Sequence, residues 1–430
     1  MNYVDIPPPP PHAELRADVD VDLAGTVHRV RRLAARAFVT LLLPGGLLQV
    51  VVEGGVPESV RTGAALRVEG RLRTASLRDP ALAWPGLELA AERVEVLASP
   101  TATPPFDLGR PELAATPEHR LEHRPIALRH PKVRAVFTIQ AALVRAFREH
   151  LDGLGFTGIH SPKLGAQGAE GGASLFELPY FGRRAVLAQS PQLYKEMCVA
   201  AFGRVYEVGP VFRAEPHATR RHLNEYTSLD VELGPLGDLG ALMALEVGLL
   251  RAMFAHVRER CARELALLGV APPTAARAVS LPFAAVKARS GEAGDDLSPG
   301  EERAACAWAE AEAGAELVFV TQYPSSKRPF YARDCAADPT VTESFDLLYR
   351  GTEITTGGLR IHEPDVLRAK LVARGMDPEA FGFFLQAHDC GLPPHGGFGL
   401  GLERLTALIC GLDNVRDAAL FPRDAHRLSP

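Results

Sequence analysis

The sequence predicts an α+β protein in two parts: a small N-terminal barrel of short strands, then a larger domain in which an antiparallel sheet is flanked by helices. Three observations carry this. Five β-rich or alternating segments lie between about Val21 and Leu97, separated by turn signals. A proline-rich stretch follows them. Beyond Pro131, helical and strand-like segments mix without a regular βαβ repeat. The 430 residues are enough for two or three domains, and a content of 47% hydrophobic and 23% charged residues is ordinary for a globular chain.

Residues 1–18 read as a loose leader. They carry neither a basic nor an apolar signal region and run through Pro7–Pro11. Residues 19–100 hold the five strands: Leu23–Val30, Ala37–Leu43, Leu47–Val52, Ala65–Leu72 and Leu87–Leu97. Breaks fall at Pro44-Gly45-Gly46, Gly54-Gly55 and Asp79-Pro80. Five strands in this length suggest a Greek-key barrel of the OB type, a fold that often binds oligonucleotides; an SH3-like barrel is the alternative. Residues 101–125 form a hinge, since Pro104, Pro105, Pro111 and Pro117 stiffen the chain and remove donors.

The larger domain spans 126–430. Apolar residues at helical spacing from Val133 to Leu154, stopped by Gly153 and Gly155, predict a long helix. Alanine- and leucine-rich residues 237–311 predict a helical insertion with a looser middle near Gly291–Gly300. Gly397 to Leu412 predicts a strand entering a helix. No apolar run approaches the roughly 20 residues of a membrane span, so no membrane association is expected. Six scattered cysteines without a C-x-x-C pair fit free thiols in a reducing, cytoplasmic setting better than disulfides or zinc.

The net charge of −5 excludes a generic polyanion binder, yet its distribution is uneven. Between Leu23 and Arg78 stand nine arginines against three acids. That excess suits a partner with a phosphate backbone, or else makes a solvated arginine face.

Three segments carry chemistry. Tyr206 to Glu215 reads as a strand that enters a polar loop and returns through His222 to Glu232. Arg213 stands at the mouth of this hairpin, where its planar fork suits phosphate oxygens, and Glu215 shares its face. A surface ion pair is the plainer reading of a lone Arg-x-Glu. In Gly397-Phe398-Gly399-Leu400-Gly401-Leu402-Glu403-Arg404, the glycines allow close approach to the backbone, and Arg404 opens a helix whose dipole adds to its pull on anions. This is no dinucleotide fingerprint, because Arg404 stands in place of the last glycine. Within Asp346 to Arg360, Glu353 and Thr356 could hold Mg²⁺, or form a turn with a satisfied glutamate.

Together these segments resemble the three signature motifs of class II aminoacyl-tRNA synthetases. The stretch Pro131–Pro162 looks like the dimer-forming first motif, Phe212-Arg213-Ala214-Glu215 like the second, and Gly399 to Arg404 like the third. Gln189-Ser190-Pro191-Gln192-Leu193-Tyr194-Lys195, Arg221-His222-Leu223-Asn224-Glu225 and Pro394 to Gly399 are similar to aspartyl-tRNA synthetases of the archaeal and eukaryotic kind. The resemblance covers nearly the whole chain after Asp18. A large insertion before the third motif, found in the longer bacterial enzyme, is absent.

The resemblance implies ATP-dependent attachment of aspartate to tRNA through an aspartyl-adenylate, with ATP and Mg²⁺ as cofactors and a homodimer as the working form. Arg213, Arg404 and Glu353 would carry catalysis. ATP would meet Arg213, Glu215, Arg221, His222, Glu353 and Arg404, with Mg²⁺ on Glu353 and Thr356. Aspartate carries one ammonium and two carboxylates, so its pocket needs cations and acids. Lys195, one of only six lysines beside 41 arginines, suits the side-chain carboxylate together with Arg360. Asp230 and Gln192 would take the ammonium, Tyr331 would line the pocket, and Glu170, in a glycine-rich loop, would close over it.

On the barrel, Phe38 could stack on an anticodon base, with Gln49 and Glu88 reading base edges. The plainer readings are a core phenylalanine and two solvated side chains. Threonine follows the first barrel glycine, Gly25, where the family often has tryptophan. His28 and Pro85 match members that charge both tRNA-Asp and tRNA-Asn, whose aspartyl-tRNA-Asn feeds an amidotransferase; a tRNA-Asp-specific enzyme is the alternative. Two rivals share the fold, an asparaginyl-tRNA synthetase and an enzyme amidating free aspartate. A third is a non-catalytic OB-fold RNA-binding protein. Lys195 speaks against the first, the barrel against the second, and the intact arginines and Glu353 against the third.

Overall fold

The computed structural model describes residues 15–168, 175–216 and 219–430. By internal packing the chain divides into two units, residues 1–135 with Pro430, and 136–429.

In the first unit all five expected segments are strands: β1 (Asp20–Arg32), β2 (Arg36–Leu43), β3 (Gly46–Glu53), β4 (Ala65–Thr74) and β5 (Leu87–Ala98). They close into a barrel in the order β1-β2-β3-β5-β4, with β3 and β5 parallel and the other pairs antiparallel. The period-2 alternation of strands turns Val39, Leu41, Leu48, Val50, Leu66, Val68, Leu72 and Leu89 into a common core. Each such side chain contributes about 1.5–3 kcal/mol by burial. Leu108, Leu113 and Ala127 form a satellite cluster, so the proline-rich segment packs within this unit.

The second unit is built on one sheet. Its strands are β6 (Thr157–Gly158), β7 (Arg204–Phe212), β8 (Glu225–Leu233), β9 (Ala278–Pro282), β10 (Leu317–Thr321), β11 (Ser344–Tyr349), β12 (Thr352–Leu359) and β13 (Gly396–Gly401). The order is β9-β10-β11-β12-β13-β8-β7-β6. The middle is antiparallel as expected, whereas the edge pairs β9–β10 and β6–β7 are parallel. Strand β9 lies inside the expected helical insertion, where alanine-rich flanks hide five residues of strand.

The helices flanking this sheet include α1 (Pro131–Gly153), which starts at the unit boundary, α2 (Gln192–Phe202), α3 (Leu239–Arg260), α4 (Pro299–Ala313) and α5 (Leu402–Cys410). Phe147 and Leu151 of α1, Phe254 and Val257 of α3, and Phe345, Leu347 and Phe398 of the sheet share one core. By length and composition α3 could cross a membrane, a segment the sequence reading passed over. Its Leu242, Leu249, Leu250, Met253, Phe254 and Val257 are buried in that core instead.

Helix α3 also buries Glu246 completely, with Thr355 as its polar neighbour. Burial pushes this carboxyl up to about 8 from an ordinary 4.5, so it is protonated at neutral pH. The raised value fixes the sign of the pH effect. The contribution is fully present below about pH 4.5, where folded and unfolded chains are both protonated, and it is lost as pH rises toward 8. Glu246→Gln cannot ionise. Urea unfolding should therefore show the wild type losing stability relative to this variant between pH 5 and pH 8. A difference that stays constant with pH would contradict the assignment.

Candidate active site

The sheet register assembles the site, because residues in register across antiparallel strands point to one face. One row runs Asp346 on β11, Thr356 on β12, Gly399 on β13 and Asp230 on β8. The next row runs Ser344, Gly358, Gly397 and Glu232. A Cβ on Gly397 would stand 2.1 Å from the Val231 carbonyl oxygen and 2.2 Å from Glu232 Oε2, and one on Gly399 would stand 3.1 Å from Asp230 Oδ1. Strand β13 thus makes room for its neighbours' acids, the close approach that its glycines predicted.

Helix α2 lies over these rows and delivers Lys195, which is buried. Its ammonium donates to Asp230 Oδ1 at 2.9 Å and to the Phe398 carbonyl at 3.2 Å, and stands 3.3 Å from Glu232. Arg360, just past β12, donates to Glu232 at 3.0 Å and to the Gly397 carbonyl at 2.9 Å. Gln192 donates to Glu196 at 2.6 Å, and Tyr331 lies beside Arg360, 5.3 Å from its guanidinium carbon. Burial opposes the charge on Glu232, but Arg360, Lys195 and His395 outweigh it and hold its pKa below the usual carboxylate value. Burial likewise opposes charge on His395, and Glu196, 3.1 Å away, raises its pKa above the ordinary value.

A second cluster lies across the rows. In the β11–β12 pairing Leu347 faces Thr355 but Leu348 faces Glu353, so Ile354 is an extra residue in a bulge. In a regular strand, side chains three apart point to opposite faces. The bulge brings Glu353 and Thr356 together, and the Thr356 hydroxyl donates to Glu353 at 3.2 Å. Arg404, in the first turn of α5, donates to the Glu353 carbonyl at 2.8 Å and stands 3.4 Å from its carboxylate. Burial works against the charge on Glu353, yet Arg404, Arg328 and Arg213 together hold its pKa below the ordinary value. Burial pushes Asp346 up to about 6, with Arg328 pulling it back. Arg328 lies 2.9 Å from Asp346 and over the Tyr323 ring at 3.8 Å, but the Asp346 Oδ1 atom has no aligned hydrogen bond.

Arg213 follows β7. Asn224 fixes its loop by donating to the carbonyls of Arg213 at 2.6 Å and Glu215 at 2.9 Å. Arg221, His222 and Glu215 complete the loop's contribution, with His222 bonded to Thr219 at 2.5 Å.

One cavity of about 720 Å³ gathers these side chains. Gln192, Lys195, Asp230, Tyr331 and Arg360, which gather around the Asp230–Glu232 acids, are among its lining residues, as are Arg213, Glu215, Arg221, His222, Glu353, Thr356 and Arg404. Glu170 lies outside the described residues. Sequence reasoning missed Glu232, Asp346 and Arg328. The spacing of Asp230 and Glu232, two apart on one strand, was a usable signal. Asp346 emerges only from its register with Thr356, and a lone Arg328 carries no pattern.

The barrel residues belong to the other unit. Phe38, Gln49 and Glu88 are half-buried on its outer side, and Gln49 donates to Glu88 at 3.2 Å across the β3–β5 pair. Pro85 is exposed in a turn. His28 differs from a surface reader: it is buried beside a bulge in β1, and burial lowers its pKa to about 4, leaving it neutral.

Comparison with known proteins places this geometry. The model of the tRNA synthetases class II (D, K and N) matches residues 116–425. The Aspartate–tRNA(Asp/Asn) ligase of Thermus thermophilus is 45% identical, covering 97% of this chain and 99% of that protein. The ligase of the same name from Aeropyrum pernix is 39% identical, covering 95% of each. Among solved structures, an asparaginyl-tRNA synthetase from Pyrococcus horikoshii complexed with asparaginyl-adenylate has a TM-score of 0.84 at 32% identity, covering 96% of this chain and 97% of that one. A putative aspartyl-tRNA synthetase from Leishmania major also has a TM-score of 0.84, at 28% identity, covering 96% and 92%.

Removing the buried lysine leaves Asp230 without its cation, while Glu232 keeps Arg360. Lys195→Met should lower the unfolding free energy by about 3–5 kcal/mol in urea titrations at pH 7. A loss under about 1 kcal/mol, the range of an exposed pair, would show that the ammonium is not the buried counter-ion described.

Proposed function

The chain belongs to the class II aminoacyl-tRNA synthetases of the D, K and N group, and from this premise we propose that it uses ATP to join L-aspartate to tRNA-Asp and tRNA-Asn. It is an aspartate–tRNA ligase. The observation that carries the choice of amino acid is the pair of buried cations, Lys195 and Arg360, at one part of the cavity. A side-chain carboxylate needs such cations, and an amide does not. The 45% identity to a ligase named for both tRNAs supports the dual specificity.

The reaction follows from positions and charge. Arg213 and Arg404 hold the triphosphate while the α-carboxylate of aspartate attacks the α-phosphorus in line. The bond to the bridging oxygen breaks with its electron pair, and pyrophosphate leaves. A ribose hydroxyl at the tRNA 3′ end then attacks the adenylate carbonyl and loses its proton, and AMP departs. No side chain forms a covalent bond; the chain aligns reactants and neutralises charge. Asp230 and Gln192 take the substrate ammonium, Glu215 meets the adenine side, and His222 and Arg221 meet the outer phosphates.

The oxygen donors Asp346, Glu353 and Thr356, two carboxylates and a hydroxyl lining one cavity, are the hard ligands that Mg²⁺ takes. When bound, the ion would supply neutralising charge for phosphate oxygens. On the barrel, Phe38, Gln49 and Glu88 meet the anticodon, while Pro85 and the buried His28 set the tolerance for two tRNAs, the histidine acting through the shape of the surface above it. The enzyme works as a cytoplasmic homodimer through the segment Pro131–Pro162, and its aspartyl-tRNA-Asn passes to an amidotransferase.

ATP–pyrophosphate exchange should depend on aspartate and not on asparagine, and both tRNA transcripts should accept aspartate. Arg404→Ala should cut the exchange rate by about 10²–10³-fold, the usual effect of removing one charge-stabilising donor. Exchange driven by asparagine would overturn the amino-acid assignment, and failure to charge tRNA-Asn would restrict the enzyme to tRNA-Asp.

A further inference from the structure

The insertion contributes Glu302, which no step above uses. Helix α4 is capped by Ser298, whose side chain and Glu301 form a reciprocal capping box. That fixes the first turn, and the next residue, Glu302, is buried on the side facing the cavity residues. Among the described residues its carboxylate has two hydrogen-bond partners. One amino group of Arg221 donates to both oxygens, at 2.8 and 2.7 Å. The backbone N–H of Glu353 donates to Oε2 at 3.1 Å. This N–H belongs to the bulge that brings Glu353 and Thr356 to one side.

The consequence is a continuous chain of contacts. Arg221 is held by Glu302, which holds the amide of Glu353, whose carbonyl and carboxylate are held by Arg404. A charged acceptor on a backbone N–H is stronger than a neutral one, and a buried carboxylate leaves that amide little freedom. We propose that Glu302 is a positioning residue: it sets the Glu353 bulge and the Arg221 side chain together, so that the insertion helix fixes the phosphate and Mg²⁺ end of the cavity and leaves the amino-acid end untouched. This rests on the ATP and Mg²⁺ reading given above. Glu302 itself touches neither reactant.

The test is ATP–pyrophosphate exchange by the full-length enzyme and by Glu302→Ala and Glu302→Gln, varying ATP, Mg²⁺ and aspartate in turn. Outer partners of a metal-holding group commonly change affinity or activity by about 10–100-fold, and the ATP KM and the half-saturating Mg²⁺ concentration should rise by that much in Glu302→Ala. Glutamine keeps an acceptor for the Glu353 amide but loses the charge for Arg221. Its ATP KM should rise while its Mg²⁺ requirement moves less. The aspartate KM should stay within about twofold in both, since Lys195 and Arg360 belong to a separate set of contacts. If all three constants moved together, Glu302 would be a general structural support and the proposal would fail. It would fail equally if none moved in either variant. No aspartate-dependent exchange in the unaltered enzyme would overturn the parent reading, and this proposal with it.

Discussion

A central strand almost without side chains is the constraint on which the site depends. Strand β13 runs between two acid-bearing neighbours, and any Cβ at Gly397 would collide with the backbone and the acid of β8. Because that space is free, Lys195 and Arg360 reach the carbonyls of Phe398 and Gly397 while pairing with Asp230 and Glu232. The glycines convert the middle of a packed sheet into the floor of a polar cavity. The strand then continues into α5, which carries Arg404, so one segment supplies the floor of one part and the cation of the other.

Buried charge is the second theme, and its arrangement explains why it is tolerated. An isolated charge in a protein interior is costly, and a pair is neutralised only with good geometry and extra hydrogen bonds. Here three cations each answer a carboxylate and a backbone carbonyl at once. Lys195 does so with Asp230 and Phe398, Arg360 with Glu232 and Gly397, and Arg404 with both ends of Glu353. Such pairing holds side chains in place before any substrate arrives, which is what catalysis by positioning requires. Glu246 shows the other solution: with no cation acting on it among the described residues, it stays protonated.

Much of this was legible in the sequence, and the reasons are specific. The barrel strands announced themselves because each segment is either β-rich or alternating, with turn residues between. Arg213, Glu353 and Arg404 were findable because each stands in a short local pattern next to glycine or a turn. Strand β9 was not, since five residues within an alanine-rich region carry no period of their own. Asp346, Arg328 and Glu302 were also hidden. Each acquires its meaning from register or from a partner tens of residues away, such as Glu302 and Arg221, and no local spacing encodes that. His28 shows the reverse: its position in a pattern was visible, but its inward orientation comes from the bulge in β1.

The account stands or falls on two ends of one cavity holding two halves of one intermediate. The most direct measurement is a crystal structure with a non-hydrolysable aspartyl-adenylate analogue. The side-chain carboxylate should lie within hydrogen-bond reach of Lys195 and Arg360, with the phosphate mimic between Arg213 and the Glu353–Arg404 pair. An analogue bound in the opposite sense, or with its side-chain carboxylate away from Lys195, would contradict it.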